Sequence, residues 1–274
     1  MVCQFCGLEK KNITLKVKSK IDNNLYDYYI CKKCGSIYQY LIPTKEYIEN
    51  YYNNYYEIKQ QINPGYLTEK NKENFFKERD KTLKDIEFPF ERIAEKNNVE
   101  LGCANGGFLL YLKQNGAKNI TGLDISKTLI DSINIEGIKL LNGDLSLLEN
   151  KSVDNLYLFH ILEHTNIKDA FNDIVRVTKD DSIIVVEIPL AGFVSGFFKE
   201  KWRFLMPNEH LNIPTLKGLK ILLKRYNLKI VKMKRFGSGL TMGMVNHKIK
   251  KIFDFLAKKF SFGDRGAFLI KKIK

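Results

Sequence analysis

The chain has no uninterrupted apolar run of the roughly 18 residues that a membrane-spanning helix requires. The nearest, SIIVVEIPLAGFVSGFF, carries Glu187 and Pro189 inside it. An apolar signal core is likewise missing from the opening MVCQFCGLEKK, so no transmembrane segment and a cytoplasmic location are expected. Acidic residues are in deficit, with 31 Asp and Glu against 45 Lys and Arg. The formal net charge of +14 invites a polyanion, whether nucleic acid, acidic lipid or a phosphorylated substrate, although the lysines are spread through nearly every segment. Histidine occurs only four times, which narrows the search for a general base. What is plentiful is apolar side chain: 44% of 274 residues can bury a full core, in one large domain with an appendage or in two modest ones.

Cysteine is also scarce, yet four of the five are paired, as CQFC at Cys3 and Cys6 and CKKC at Cys31 and Cys34, each pair followed by glycine. Two such knuckles at the ends of a short segment point to a tetrahedral four-thiolate zinc site, because each CxxC turn presents two sulfurs to one point. A reducing compartment disfavours a disulfide pair, and duplication disfavours a redox CxxC. The alternating runs ITLKVKSK and LYDYYI between the knuckles predict a hairpin, hence a zinc ribbon over residues 1–42 with a structural Zn2+. Residues 43–97 read as a helical connector rich in tyrosine (Tyr47, Tyr51, Tyr52, Tyr55 and Tyr56), punctuated by Pro64 and Gly65. The tyrosines either cover a substrate pocket or pack an interface.

From residue 98 to 274 strand-like runs alternate with helical ones, which predicts a doubly wound α/β domain with a mainly parallel sheet. Helices are expected at 106–115, 126–134, 166–178 and 214–227. A basic amphipathic helix is expected at about 246–260, with Ile249, Ile252, Phe253, Leu256 and Phe260 packed on one face. In such a sheet ligands sit beyond the carboxyl ends of the strands, where VELGCANGGF falls. Its Gly102, Ala104 and Gly107 also fit a degenerate dinucleotide fingerprint. Glu100 argues against a pyrophosphate there and for a cationic amino-acid moiety. Asp124 is placed for ribose hydroxyls, or else caps the following helix, and Asp144 supplies a third acidic strand end suited to an adenine amine.

With these residues in place, the segments ELGCANGGF, GLDIS, NGDL and LYLFHILEHT resemble the class I S-adenosylmethionine-dependent methyltransferases. That resemblance implies a seven-stranded Rossmann-like sheet ending in an antiparallel pair, with S-adenosylmethionine as cofactor. It assigns Glu100 and the loop of Gly102, Cys103, Ala104 and Gly106 to the methionine part, Asp124 to ribose, and Asp144 with Leu145 to adenine; Ile125 and Phe159 are further cofactor-binding candidates.

On the acceptor side, His160 ends the fourth strand and is a candidate base or pocket wall, while Glu163 and His164 read as loop and helix-start residues. Glu209 and His210 follow an insert at about 190–212 that is expected to form a lid. The ribbon, the tyrosine-rich connector and the Glu-His pair resemble bacterial methyltransferases of sugar and polysaccharide pathways, including nucleotide-sugar C-methyltransferases. That likeness implies catalytic roles for His160, Glu209 and His210 and a small-molecule or nucleotide-sugar substrate; Pro207 stands where those enzymes carry tyrosine. Glu209 and His210 can equally be an anchoring pair, and Trp202 and Arg203 either bind a nucleotide diphosphate or anchor the insert. The competing function is a zinc-ribbon RNA methyltransferase, favoured by the charge but lacking an Asn-Pro-Pro-Tyr type motif after the fourth strand, where Phe159, His160 and Ile161 stand.

Overall fold

The computed structural model describes residues 2–9, 13–20, 22–40, 43–44, 46–48, 50–52, 54, 69–241 and 244–273. Tyr55, Tyr56, Pro64 and Gly65 lie outside the described residues. Tyr51 forms ring contacts with both Tyr47 and Tyr52.

Three short strands open the chain, β1 (Ile13–Lys18), β2 (Leu25–Ile30) and β3 (Ile37–Gln39). Helices α1 (Glu69–Asp85) and α2 (Arg92–Glu95) lead into β4 (Asn97–Leu101), α3 (Gly107–Gln114), β5 (Asn119–Asp124), α4 (Lys127–Ser132), β6 (Lys139–Asn142) and β7 (Val153–Phe159). There follow α5 (Ile167–Val177), β8 (Thr178–Pro189), α6 (Phe193–Phe198), β9 (Asn212–Ile213), α7 (Leu216–Arg225), β10 (Leu228–Phe236), α8 (His247–Lys259) and β11 (Arg265–Lys272). Among the described residues no helix is long and apolar enough to cross a membrane.

The larger sheet has seven strands in the order β10-β11-β8-β7-β4-β5-β6. Strands β7, β4, β5 and β6 pair in parallel and β10 with β11 antiparallel, the expected Rossmann-like methyltransferase sheet. Its central strands are apolar throughout: all seven residues of β7 are buried, as a strand covered on both faces demands.

The chain divides into two units, one of residues 1–42, 160–172 and 186–273, the other of residues 43–159 and 173–185 with Lys274. In the second, Phe108 packs edge-on against Tyr157 and Phe159 at centroid distances of 4.8 and 4.9 Å, the offset geometry that aromatic quadrupoles favour. In the first, Val17, Tyr28, Ile37, Trp202, Leu205 and Ile213 share one core. A second sheet in this unit, β1-β2-β3-β9, joins the cysteine-bearing hairpin to the two residues that follow shortly after Glu209 and His210.

Helix α8 departs from the expected packing. Ile249, Ile252, Phe253 and Phe260 are exposed, and the helix buries Ala257 instead. Asp254, which accepts hydrogen bonds from the amide and hydroxyl of Ser238, turns that other side inward.

Candidate functional site

In the second unit, glycines make the turn after β4 possible. Gly102 and Gly106 have φ of 74° and 75°, and Ala104 shares the left-handed region at 50°. The amides of Gly102 and Cys103 both donate to the Leu123 carbonyl. Asp124 accepts from the Ala104 amide at 3.0 Å and from the Ser126 amide at 2.9 Å, so the glycine-rich loop and two strand ends converge on one carboxylate. Each carboxylate oxygen retains a lone pair for a further donor. Ile125 follows Asp124, and its carbonyl accepts from the Asn142 side chain.

Glu100, the penultimate residue of β4, is buried, and burial first, then the nearby Asp124, pushes its carboxyl up to about 8 against the opposing pull of Arg79. Its Oε2 has no hydrogen-bond partner, an orphaned acceptor that fits the ammonium of the methionine moiety. Sequence reasoning missed Arg79. It projects from α1 with its guanidinium 4.2 Å from the Phe159 ring centroid, and nothing in its helical segment distinguishes it from neighbouring lysines. Asp144 accepts from the amide and hydroxyl of Ser146 through one carboxylate oxygen, beginning a turn of 3-10 helix that buries Leu145.

In the first unit, the two knuckles fold alike. Gly7 and Gly35 donate to the carbonyls of Cys3 and Cys31, with φ of 73° and 75°. The four sulfurs lie within 4.8 Å of one another, with Cys3 and Cys34 at 3.7 Å and Cys6 and Cys31 at 3.4 Å. A tetrahedral zinc thiolate site with bonds of about 2.3 Å has edges of about 3.8 Å, so this set can hold a metal. The hydrogen bond from Cys3 and the one to Ser36 draw the Cys34 thiol down to about 4.

A second cluster in this unit surrounds His160, the residue after β7. Its φ of 57° turns the chain so that Nδ1 meets Glu163 and Nε2 meets Glu187, both at 3.1 Å. Burial lowers the imidazole pKa, but the two carboxylates outweigh it and hold the group at about 9. His160 is therefore an imidazolium at neutral pH, bridging two buried acids, and has no lone pair with which to act as a base. Glu163 is held below the usual carboxylate range by this partner, against its burial.

His164 and His210 come together at a ring-centroid distance of 4.9 Å. Nδ1 of His164 donates to the Glu209 carbonyl and Nδ1 of His210 to the Phe204 carbonyl, each at 2.8 Å. Burial brings the His210 pKa down to about 3, so its ring is neutral. Glu209 thus touches the histidine pair through its backbone, and the carbonyl of Phe204 orients His210. Sequence reasoning passed over Glu163 and His164, although the spacing HxxEH was the signal: one turn carries all three residues to one side. Trp202 and Arg203 are anchors, both donating to Asp264.

Against this geometry the comparisons are specific in class. A methyltransferase-domain family model matches residues 72–233, and the chain belongs to that family of S-adenosylmethionine-dependent methyltransferases. An uncharacterized protein of Methanocaldococcus jannaschii is 27% identical over 199 residues, 64% of this chain and 76% of its own. Among solved structures the chain is similar to an S-adenosylmethionine-dependent methyltransferase from Archaeoglobus fulgidus, at 19% identity and a TM-score of 0.54 over 80% of this chain and 99% of that one. It is also similar to a putative sarcosine dimethylglycine methyltransferase from Galdieria sulphuraria, at 14% identity and a TM-score of 0.52 over 72% and 86%. At such identities the likeness carries fold alone.

Proposed function

We propose that this methyltransferase acts on a sugar, free or nucleotide-linked, or on a related small polar metabolite, at a hydroxyl or an acidic carbon. When bound, S-adenosylmethionine supplies a methyl group activated by its sulfonium. Glu100 takes the ammonium of that cofactor and Asp124 its ribose hydroxyls. The loop of Gly102, Cys103, Ala104 and Gly106 approaches the methionine part, and Ile125, Asp144, Leu145 and Phe159 border the nucleoside. The four cysteines hold a structural zinc ion, whose ribbon extends through β9 and so steadies the Glu209–His210 segment.

The observation that carries the acceptor reading is the group of Glu163, His164 and His210, the first and last buried and His164 half-buried. These side chains present basic atoms, so an acceptor must bring the proton. His210 and His164 orient that acceptor for in-line attack on the methyl group. His160 works indirectly, as a fixed cation that keeps Glu163 ionised, and is a positioning residue. The test is transfer of an isotopically labelled methyl group to a panel of sugars and nucleotide sugars, read by mass spectrometry. His210→Asn should cut turnover by about 100-fold while leaving S-adenosylhomocysteine affinity unchanged, the loss that a misplaced acceptor causes. Equal turnover in that variant removes the role.

A second reading, RNA as acceptor, draws on α8. Its exposed Phe255 and Phe260 flank Lys259, a pairing of aromatic faces and cations that suits unpaired bases. RNA binding that weakens steeply with salt and is lost in Phe255→Ala favours it.

A further inference from the structure

Glu163 is fully buried, and only one of its oxygens is used. Oε1 faces the His160 Nδ1–H, whereas Oε2 has no hydrogen-bond partner. A fully buried carboxylate is costly unless its oxygens are met by cations or hydrogen-bond donors, and His160 meets only one of them.

The two histidines beside it are fixed in one tautomer. A backbone carbonyl can only accept, so the contacts with the Glu209 and Phe204 carbonyls place the proton of each ring on Nδ1. With the proton on Nδ1, Nε2 is the ring atom left to offer a lone pair to a cation. One ring nitrogen of His164, one of His210 and a carboxylate oxygen of Glu163 all lie within 4.8 Å of one another. Three residues that can each offer an electron pair therefore converge, Glu163 and His210 buried and His164 half-buried. Their outer partners are those that orient metal ligands: a carbonyl on each Nδ1–H, and an N–H on the second carboxylate oxygen.

We propose that Glu163, His164 and His210 form a binding site for one divalent transition-metal cation, distinct from the four-cysteine cluster. Two imidazoles and a carboxylate select a first-row dication such as Mn2+, Fe2+ or Zn2+ over Mg2+, which prefers an all-oxygen shell. The four thiolates, softer and closed around one point, select zinc. Three protein ligands leave coordination positions for water or for vicinal hydroxyl oxygens of an acceptor. In its use of the site this inference deepens the sugar-methylation reading and rests on it, with the acceptor oxygen held through the cation; the binding of the cation stands independently.

The experiment uses the full chain with zinc already in the thiolate cluster. Mn2+ is the probe, because thiolates bind it poorly, and its uptake is followed by the loss of the free-ion paramagnetic resonance signal. One Mn2+ per chain is expected. His164→Ala and His210→Ala should each weaken it by more than about 100-fold, beyond the effect of losing an outer partner, with S-adenosylhomocysteine binding retained as the measure of folding. His160→Gln, which removes only an outer partner, should weaken it by about 10-fold to 100-fold. Failure of the zinc-loaded wild type to take up Mn2+, Fe2+ or Co2+ overturns the proposal, as does uptake unchanged in both histidine variants. Sugar methylation at full rate by protein holding only the thiolate-bound zinc overturns the holding of the acceptor through the cation and leaves the functional reading intact. Mn2+ uptake lost in the variants, with no transfer to any sugar, supports the site and removes that reading.

Discussion

Tyr28 and His210, 182 residues apart, are joined by a hydrogen bond of 3.1 Å in which the tyrosine hydroxyl donates to the histidine carbonyl. Tyr28 is buried on the cysteine-bearing hairpin, and a short distance away Gln39 and Asn208 bond reciprocally, side chain to side chain and backbone amide to side chain. The ribbon is thus part of the support that fixes the histidine pair. Tyr28→Phe leaves a buried carbonyl without its donor, which should cost about 1–3 kcal/mol of stability. Chemical denaturation should show that loss, and turnover should fall while S-adenosylhomocysteine affinity holds. Wild-type stability and turnover would separate the ribbon from the acceptor side.

Removal of the metal should act along the same route. Strand β9 pairs with β3 at Ile37 and Tyr38, immediately after the second knuckle, and Thr215 donates to the Cys34 carbonyl. A hairpin of this size has little core of its own and would depend on the zinc ion proposed for its four cysteines. A strong thiol-competing chelator should release one zinc per chain, abolish methyl transfer and leave S-adenosylhomocysteine binding, since Glu100 and Asp124 belong to the other unit. Transfer that survives complete zinc release would show that the ribbon is dispensable.

Gly106 tests the cofactor loop. Its φ of 75° disfavours any side chain, and a Cβ would stand 3.0 Å from the Ile133 Cγ2. Gly106→Ala should therefore cost roughly 1–2 kcal/mol from backbone handedness alone. A lower melting temperature and weakened S-adenosylhomocysteine binding are expected, measured by calorimetry; an unchanged affinity would place the loop outside the cofactor site.

The donor side was more legible in the sequence than the acceptor side, for physical reasons. Glycines that need positive φ, acids at strand ends and paired cysteines leave local signatures, because each requirement is met within a few residues. Helices α3, α4, α5 and α7 fall within the expected spans, since their apolar periodicity is local too. The HxxEH spacing of His160, Glu163 and His164 was legible, but what they do was not, because His210 and the carbonyl of Glu209 approach them only through tertiary folding. The exposed face of α8 was misread because periodicity identifies an apolar face without identifying what covers it.

Glu100 makes the cofactor reading testable through protons. Its carboxyl is held at about 8 in the folded chain by burial, whereas an exposed glutamate titrates near about 4.3. Between those values the folded state binds a proton that the unfolded state has released, so this group lowers stability as pH rises across the window, and the loss is complete above the folded value. An ammonium seated at Oε2 requires the ionised form. Binding of S-adenosylhomocysteine near pH 7 should then release close to one proton, seen as a dependence of the calorimetric heat on the ionisation enthalpy of the buffer. Affinity should increase from about pH 6 towards the folded value, because less of the ligand's binding free energy is spent on deprotonation. Glu100→Gln should bind more weakly and with no proton release. Wild-type affinity that stays flat over that interval, with heats independent of buffer, would mean that the ammonium is held elsewhere, and the orphaned oxygen of Glu100 would need another donor.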